Sequence, residues 1–346
     1  MLELAAINIP KELVAQHPIL DRDKCRLLLL DRTSGQIEHR TFRDVLGFVK
    51  PGDLFVFNNS RVIKARFEAF KASGGKIELF LIRPVDDTGS LETNPTKWHC
   101  LIRGKNIKEG LRIEITKDGI GANVISLLSD GTFYVEFDSK ADIPSLMELF
   151  GKLPLPPYIK RLPDVDDEKY YQTVFANIDG SVAAPTAALH FTDEILAEMV
   201  NLGVGKEFLT LHVGYGTFST VRDIKDHIMH SEFYTVPDTL AESIRNCKNR
   251  GGRVWAVGTT VVRTLESIFD EDINLLSQSG FTSLFIKPGY KFKVVDAMIT
   301  NFHHPDTTLI YLVSAFGGLD NIVRAYSDAV SKRYRLLSYG DAMAIF

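Results

Sequence analysis

Three strand-like runs in this chain end in short loops whose side chains could do chemistry. Gly214-Tyr-Gly-Thr-Phe218 follows the apolar run 208–213, Gly258-Thr-Thr260 follows 253–257, and Asn301-Phe-His-His-Pro305 follows 297–300. Each apolar run reads as a strand that gives way to small, hydroxyl, amide or imidazole groups. In folds built on parallel strands, ligands bind beyond the carboxyl ends of those strands, so three such loops predict one shared pocket. Any one loop alone would be ordinary turn chemistry. Thr259 and Thr260 open a predicted helix, where free N–H groups and hydroxyls suit a carboxylate or a ribose hydroxyl. Plain N-capping is the bland alternative. Arg263, one turn along, would reach the same anion or pair with Glu266 across the helix surface. Gly214 and Gly216 allow a ligand close to the backbone. They do not form a dinucleotide fingerprint, because Ser219 stands where the third glycine belongs.

Six of the nine histidines lie in the second half of the chain: His190, His212, His227, His230, His303 and His304. An imidazole titrating near neutrality is a candidate acid or base. His227-x-x-His230-x-Glu232 resembles a metal spacing, but Glu232 would not share a helix face with the two histidines, and no metal is expected. Ala183-Ala-Pro-Thr-Ala-Ala-Leu-His-Phe191 precedes a capped helix. Its small side chains would let a planar group approach the backbone and Phe191 stack on it; a packed loop is the alternative.

The elements that must position these loops fall into three regions. Residues 1–60 predict a short helix at 11–16, begun by Pro10, and strands at 26–31 and 53–57. Residues 61–150 read as mostly β, with strands at 76–82, 98–103, 112–116, 123–128 and 133–137. No helical pattern interrupts them, which predicts a small antiparallel barrel or sandwich. After the hinge Leu153-Pro-Leu-Pro-Pro-Tyr158, strands and helices alternate: a helix capped by Thr192 and stopped by Gly203, a strand at 208–213, a helix at 243–249, a strand at 253–257, a helix at 261–269, a strand at 294–300 and a helix at 308–316. The expected class is α/β: a barrel-like or layered catalytic domain from 1–60 plus 151–346, with a β-barrel domain, 61–150, inserted.

Composition sets bounds. The 346 residues are 45% hydrophobic and 24% charged, enough for a sizeable core without disulfide or metal staples. Cys25, Cys100 and Cys247 are isolated, which argues against a zinc ribbon or disulfide framework and fits a reducing cytoplasm. No apolar run reaches the ~18 residues of a membrane span, and residues 1–10 are too mixed for a secretory core. A net charge of −4 gives no global attraction for nucleic acid, so an RNA partner must meet a local basic patch.

Further motifs recur in one order along nearly the whole chain. They are Glu12-Leu with Gln16-His-Pro18, Pro51-Gly-Asp53 with Asn58 and Arg61-Val62, Leu153 to Ile159, Tyr171-Gln-Thr-Val-Phe-Ala176, Ala183 to Phe191, and Thr210-Leu-His-Val-Gly214 with Gly216-Thr-Phe218. His227 to Glu232, Ala256-Val-Gly-Thr-Thr260 with Arg263-Thr-Leu-Glu-Ser267, Ile299-Thr-Asn-Phe-His303 and Ser338-Tyr-Gly-Asp-Ala-Met343 follow. This ordered set resembles the S-adenosylmethionine:tRNA ribosyltransferase-isomerase family of queuosine biosynthesis. It departs from the family pattern at Asn59-Ser60, Ala188, Tyr215 and His304.

The resemblance implies that S-adenosylmethionine is a co-substrate, with no prosthetic group, and donates its ribosyl carbons rather than its methyl. The acceptor would be 7-aminomethyl-7-deazaguanine at the wobble position of tRNA; the products would be epoxyqueuosine in tRNA, adenine and methionine. His190 and His212 are then the catalytic candidates. Thr186, Phe191, Gly214, Gly216, Thr217, Thr259, Thr260 and Arg263 would hold the nucleoside, with Asn301 and His303 lining the same pocket. Arg61, Lys160, Arg161 and Arg335 are the candidate RNA contacts, from basic clusters that also include Lys64, Arg66, Lys332 and Arg333. A cytoplasmic monomer is expected. Two other readings compete: a non-catalytic RNA-binding paralogue with a degenerate pocket, and an ordinary methyltransferase yielding S-adenosylhomocysteine.

Overall fold

Runs that are apolar at successive positions cannot keep one face in water, so they fold into the interior of a sheet covered on both sides. Four consecutive leucines in β1 (Arg26–Leu30) are all buried. The structure, a computed structural model, describes residues 7–85, 91, 93–218, 229–270, 272–276 and 278–346, with the side chains of 217 and 218 outside that description. The strands continue as β2 (Ile37–Thr41), β3 (Leu54–Asn58), β4 (Ser60–Val62), β5 (Arg66–Lys71), β6 (Lys76–Pro84), β7 (Lys97–Arg103), β8 (Arg112–Glu114), β9 (Gly121–Leu127) and β10 (Phe133–Phe137). Then come β11 (Gly151–Lys152), β12 (Ile178–Ser181), β13 (Gly205–Leu211), β14 (Glu232–Thr235), β15 (Val254–Val257), β16 (Ser279–Thr282), β17 (Ala297–Asn301) and β18 (Ala342–Ile345). The helices are α1 (Ile143–Phe150), α2 (Val165–Tyr170), α3 (Asp193–Asn201), α4 (Thr239–Asn249), α5 (Thr259–Ile268), α6 (Thr308–Gly317) and α7 (Leu319–Ser331).

Nine strands form one sheet in the order β16-β14-β13-β3-β15-β17-β18-β1-β2. The central four, β13, β3, β15 and β17, run parallel to one another. Side chains alternate between two cores. Leu28, Val56, Ala256 and Met298 pack under α4 to α7, while Leu27, Phe55, Trp255 and Ile299 pack on the other face with Phe42, Phe191 and α3. The α/β part is therefore layered; of the two expected forms, the barrel-like one is ruled out. Because the four central strands run one way, Leu211, Asn58, Val257 and Asn301 leave the sheet along one edge. β18 is antiparallel to β17 and parallel to β1, so the amino ends of both join that edge.

The second sheet closes on itself. β5, β6, β7, β10, β9 and β8 pair in turn, and β8 returns to β5 through Ile113 and Glu114. Phe67, Trp98, Cys100, Val124 and Val135 point inward, the alternation a small filled barrel requires. β11 pairs with β5 where the chain leaves the barrel.

Several expected elements change. The helix at 11–16 is a single 3-10 turn, Lys11–Leu13, because Val14 turns extended and bridges to Leu336. α1 lies within a stretch expected to be free of helix; Asp142 caps it, accepting from Ser145 N at 3.4 Å and Ser145 Oγ at 2.6 Å. β5, β18 and α7 had no clear counterpart in the sequence reading. Among the described residues, no helix is long and apolar enough to cross a membrane, and no group of three His, Cys, Asp or Glu is placed to hold a metal ion.

Candidate active site

A cavity of about 750 Å³ opens at the carboxyl edge of the central strands. Gly258, Thr259 and Thr260 come to its wall from the β15–α5 turn, Thr300 to His304 from the end of β17, and Ala183 to Ala187 from the segment before α3. Gly258 sits at φ 97°, a left-handed conformation that lets the strand turn directly into the helix. Two buried side-chain oxygens of the wall, Thr260 Oγ1 and Asn301 Oδ1, have no hydrogen-bond partner within the described residues. Buried polar atoms are rarely left so, and two on one wall suit a polar ligand. Thr186, Thr259, Thr260, Asn301 and His303, expected to share one pocket, all line this cavity, and Lys160, expected as an RNA contact, lines it too.

The histidines near this cavity are held in defined states. Thr300 Oγ1 donates to the Asn301 carbonyl at 3.2 Å and lies 2.7 Å from His303 Nε2. The hydroxyl thus fixes the orientation of the His303 ring at the cavity wall. His190 stands behind the wall: Asn301 Nδ2 donates to its Nε2 at 3.3 Å, and its Nδ1 lies 3.0 Å from the Cys25 sulfur. The ring pair therefore orients the Asn301 amide so that Oδ1 is the unpartnered atom. Burial pushes His190 down to about 3, helped by Arg22 and Arg335, and burial alone pushes His303 and His212 to about 4.

These shifts predict acid sensitivity. The folded state keeps the rings neutral, whereas the unfolded chain binds protons below 6.5, so the stability they supply is present above that pH and lost as it falls toward 4. The unfolding free energy from urea titration should fall between pH 7 and pH 5 by roughly 2 kcal/mol for each buried imidazole, lowering the midpoint with it. An unchanged midpoint would show that the rings are protonated in the fold.

The loop after β13 goes elsewhere, which corrects the expectation of one pocket shared by three loops. His212, Gly214 and Gly216 line a second cavity of about 140 Å³, with Arg83, His99 and Thr132 from the barrel side. Val213 lines both cavities. β13 pairs with β14 on its outer side, and that pairing carries the loop outward: His212 N donates to the Phe233 carbonyl at 2.9 Å and Gly214 N to Glu232 Oε1 at 3.0 Å. His212 Nδ1 lies 3.1 Å from Ser60 Oγ, which bonds Ser181; Ser181 Oγ accepts from Val213 N at 2.9 Å. Gly180, at φ 147°, leaves room for this ring, since a β-carbon there would stand 2.5 Å from it.

Other predicted residues are used for packing. Phe191 is buried against Phe42, Phe55 and Phe57 rather than facing either cavity. Arg263 forms a buried ion pair with Glu232 and donates to the Leu284 carbonyl at 3.1 Å. Glu266, its expected partner, instead accepts from the backbone N–H groups of Lys293, Val294 and Val295. Thr217 lies in the 3-10 turn Tyr215–Phe218, its side chain outside the described set, and His227 lies outside the described residues. Lys160, Arg161 and Arg335 converge on Gln16 and His17: Lys160 N donates to Gln16 Oε1 at 2.8 Å, Arg161 Nε to the Gln16 carbonyl at 2.9 Å, and Arg335 to the His17 carbonyl. Arg61 stands apart, 3.8 Å from Asp179. Cys25, Ser60, Ser181, Gln16 and Ser338 were not singled out as site residues, since nothing local marks a residue that orients another one.

A family model described as "Queuosine biosynthesis protein" matches residues 5–345. An S-adenosylmethionine:tRNA ribosyltransferase-isomerase of Caldanaerobacter subterraneus subsp. tengcongensis is 44% identical over 342 residues, 98% of this chain and 97% of the relative. The chain belongs to the S-adenosylmethionine:tRNA ribosyltransferase-isomerase family. A second member, from Natranaerobius thermophilus, is 44% identical over 348 residues, covering 99% of each chain. The crystal structure of an S-adenosylmethionine tRNA ribosyltransferase from Thermotoga maritima matches with a TM-score of 0.55 and 36% identity, covering 98% of both chains. This chain is accordingly a transferase-isomerase enzyme of queuosine biosynthesis. Its departures from the family pattern have places in the structure. Ala188 is fully buried in the core beside Phe191, and Tyr215 packs edge-on against Phe80 of the barrel at 5.7 Å. His304 is solvent-exposed, 3.5 Å from Asp306.

Proposed function

We propose that this chain transfers and isomerises the ribosyl group of S-adenosylmethionine onto 7-aminomethyl-7-deazaguanine at the tRNA wobble position, releasing adenine and methionine and leaving epoxyqueuosine. The observation that carries this reading is the polar set on one wall of the larger cavity: Thr260 Oγ1, Asn301 Oδ1 and the His303 ring beside the amino end of α5. These polar groups suit ribose hydroxyls and the adenine amino group, and the N–H groups at Thr259 and Thr260 suit the methionine carboxylate. S-adenosylmethionine is a substrate here, and no metal or prosthetic group enters the proposal. The catalytic unit is 1–60 plus 151–346, with 61–150 inserted as the barrel.

The sulfonium acidifies the adjacent 5′ carbon. Loss of that proton, departure of adenine, attack by the amine and closure of the epoxide as methionine leaves all need two substrates fixed side by side. The second cavity, across Val213, is where the acceptor base would lie, with His212 facing it. His190 acts through Asn301 as a positioning residue, since its depressed pKa leaves it a poor proton store near neutral pH. Lys160, beside Arg161 and Arg335, would meet phosphate at the cavity wall.

Mixing the chain with S-adenosylmethionine and tRNA carrying the modified base should release adenine and methionine in equal amounts. S-adenosylhomocysteine as product would replace this reading with methyl transfer. RNA binding without any product would replace it with a non-catalytic paralogue.

A further inference from the structure

A groove of about 650 Å³ runs between barrel strands β5 and β6 and the segment 152–163. It adjoins the larger cavity, because Pro157 and Lys160 line both. Its charge opposes that of the chain. Among the described residues of the lining, Arg66, Lys76, Arg103, Lys152 and Lys160 face only Glu68 and Glu78, a local excess of positive charge in a protein of net charge −4. Arg161 also lines it, but its guanidinium is bound to the buried Asp167 at 2.5 and 2.8 Å.

The carboxylates are shared thinly. Arg66 and Arg103 both lean on Glu78, at 3.8 and 3.7 Å, so one carboxylate serves two guanidinium groups. Lys76 takes Glu68 at 2.7 Å. Arg66 Nε is buried and has no acceptor among the described residues. Lys160 Nζ donates to the Pro157 carbonyl at 2.7 Å, and neither it nor Lys152 has a carboxylate within ion-pair distance among the described residues. Pro156, Pro157 and Pro163 stiffen the wall opposite the barrel.

We propose that this groove seats the RNA phosphate backbone flanking the reacting nucleotide, guiding it from the barrel to the cavity at Lys160. The proposal rests on the function given above. A polyanion fits because the cations extend over four strands, β5, β6, β7 and β11, and the loop at Lys160, farther than one small anion would span. RNA is the polyanion whose base must enter the adjoining cavity. The inserted barrel thereby gains a role besides covering the second cavity.

The test uses the whole protein with Lys152→Glu and Arg103→Glu combined. Both residues are exposed and outside the two cavities. The control makes the same charge change at the far edge of the sheet, with Lys50→Glu and Lys206→Glu. Binding of tRNA carrying the modified base is measured from 50 to 200 mM salt, with the affinity for S-adenosylmethionine and the melting temperature alongside.

The groove variant should bind tRNA at least ~10-fold more weakly than the control, with a log–log salt slope shallower by about 2. Its nucleoside affinity should be unchanged. Equal binding by groove and control variants overturns the proposal. So does displacement of the tRNA by polyglutamate at matched charge, which would make the groove an acidic-polypeptide site. If the glutamate pair melts early, Lys152→Gln with Arg103→Gln is judged by the same two outcomes. Wild-type protein that binds tRNA through the groove but releases no adenine would overturn the assigned reaction and leave the groove standing.

Discussion

Glu232→Ala is expected to lower the unfolding free energy by about 3–5 kcal/mol, the usual cost of leaving one member of a buried ion pair unmatched. Glu232 and Arg263 are each 4% exposed, and the carboxylate also accepts from Gly214 N at 3.0 Å. It therefore ties three pieces together: β14, helix α5 and the loop after β13. Removing it strands a guanidinium that, among the described residues, keeps the carbonyls of Leu284 and Thr282, at 3.1 and 3.4 Å. Glu232→Gln keeps an acceptor for Gly214 N but loses the charge, so it should fall between wild type and alanine. Denaturant midpoints of the three proteins measure this. A loss under about 1 kcal/mol for Glu232→Ala would mean that the arginine reaches water and the pair is not a closed one.

Asn301→Ala should lower kcat/KM for S-adenosylmethionine roughly 10- to 100-fold, the rate equivalent of about 1.4–2.8 kcal/mol. Its buried Oδ1 is offered to the cavity only because Nδ2 is held by His190. His190→Ala should copy most of that loss without changing the pH dependence of the rate, and the double variant should be little worse than either single one. Residues that act through one hydrogen-bonded unit are not additive. Were His190→Ala to erase a limb of the pH–rate profile, His190 would be the proton-transferring group and not a positioning one. Losses that add fully would separate the two residues as well.

The sequence located the barrel strands closely where inward and outward residues alternate, as in β7, with Trp98, Cys100 and Ile102 inside. It missed β18, whose Ala-Met-Ala-Ile has little strand character of its own; the element exists because β17 and β1 flank it. α1 was hidden by its length of eight residues and by a proline in its first turn. In the candidate site, the hydroxyl, amide and imidazole residues after β15 and β17 were legible because each loop follows its own apolar run. Cys25 and Ser181 were not, since Cys25 acts through a ring 165 residues away and Ser181 through Ser60, 121 residues away.

By itself the sequence determined local matters: which segments are apolar enough to become interior strands, and which polar groups stand at their carboxyl ends. Strand order was decided only by tertiary structure. β3 lies between β13 and β15, and that arrangement, made by pairings about 150 and 200 residues apart, brings Gly258 and Asn301 to one wall. The same packing gave His212 to a different cavity, because β14 extends the sheet outward at that point and the barrel meets it there. Side-chain patterning is set by a residue's near neighbours. Which strand ends become neighbours depends on how the burial of the whole chain is satisfied, and no short stretch of sequence encodes that.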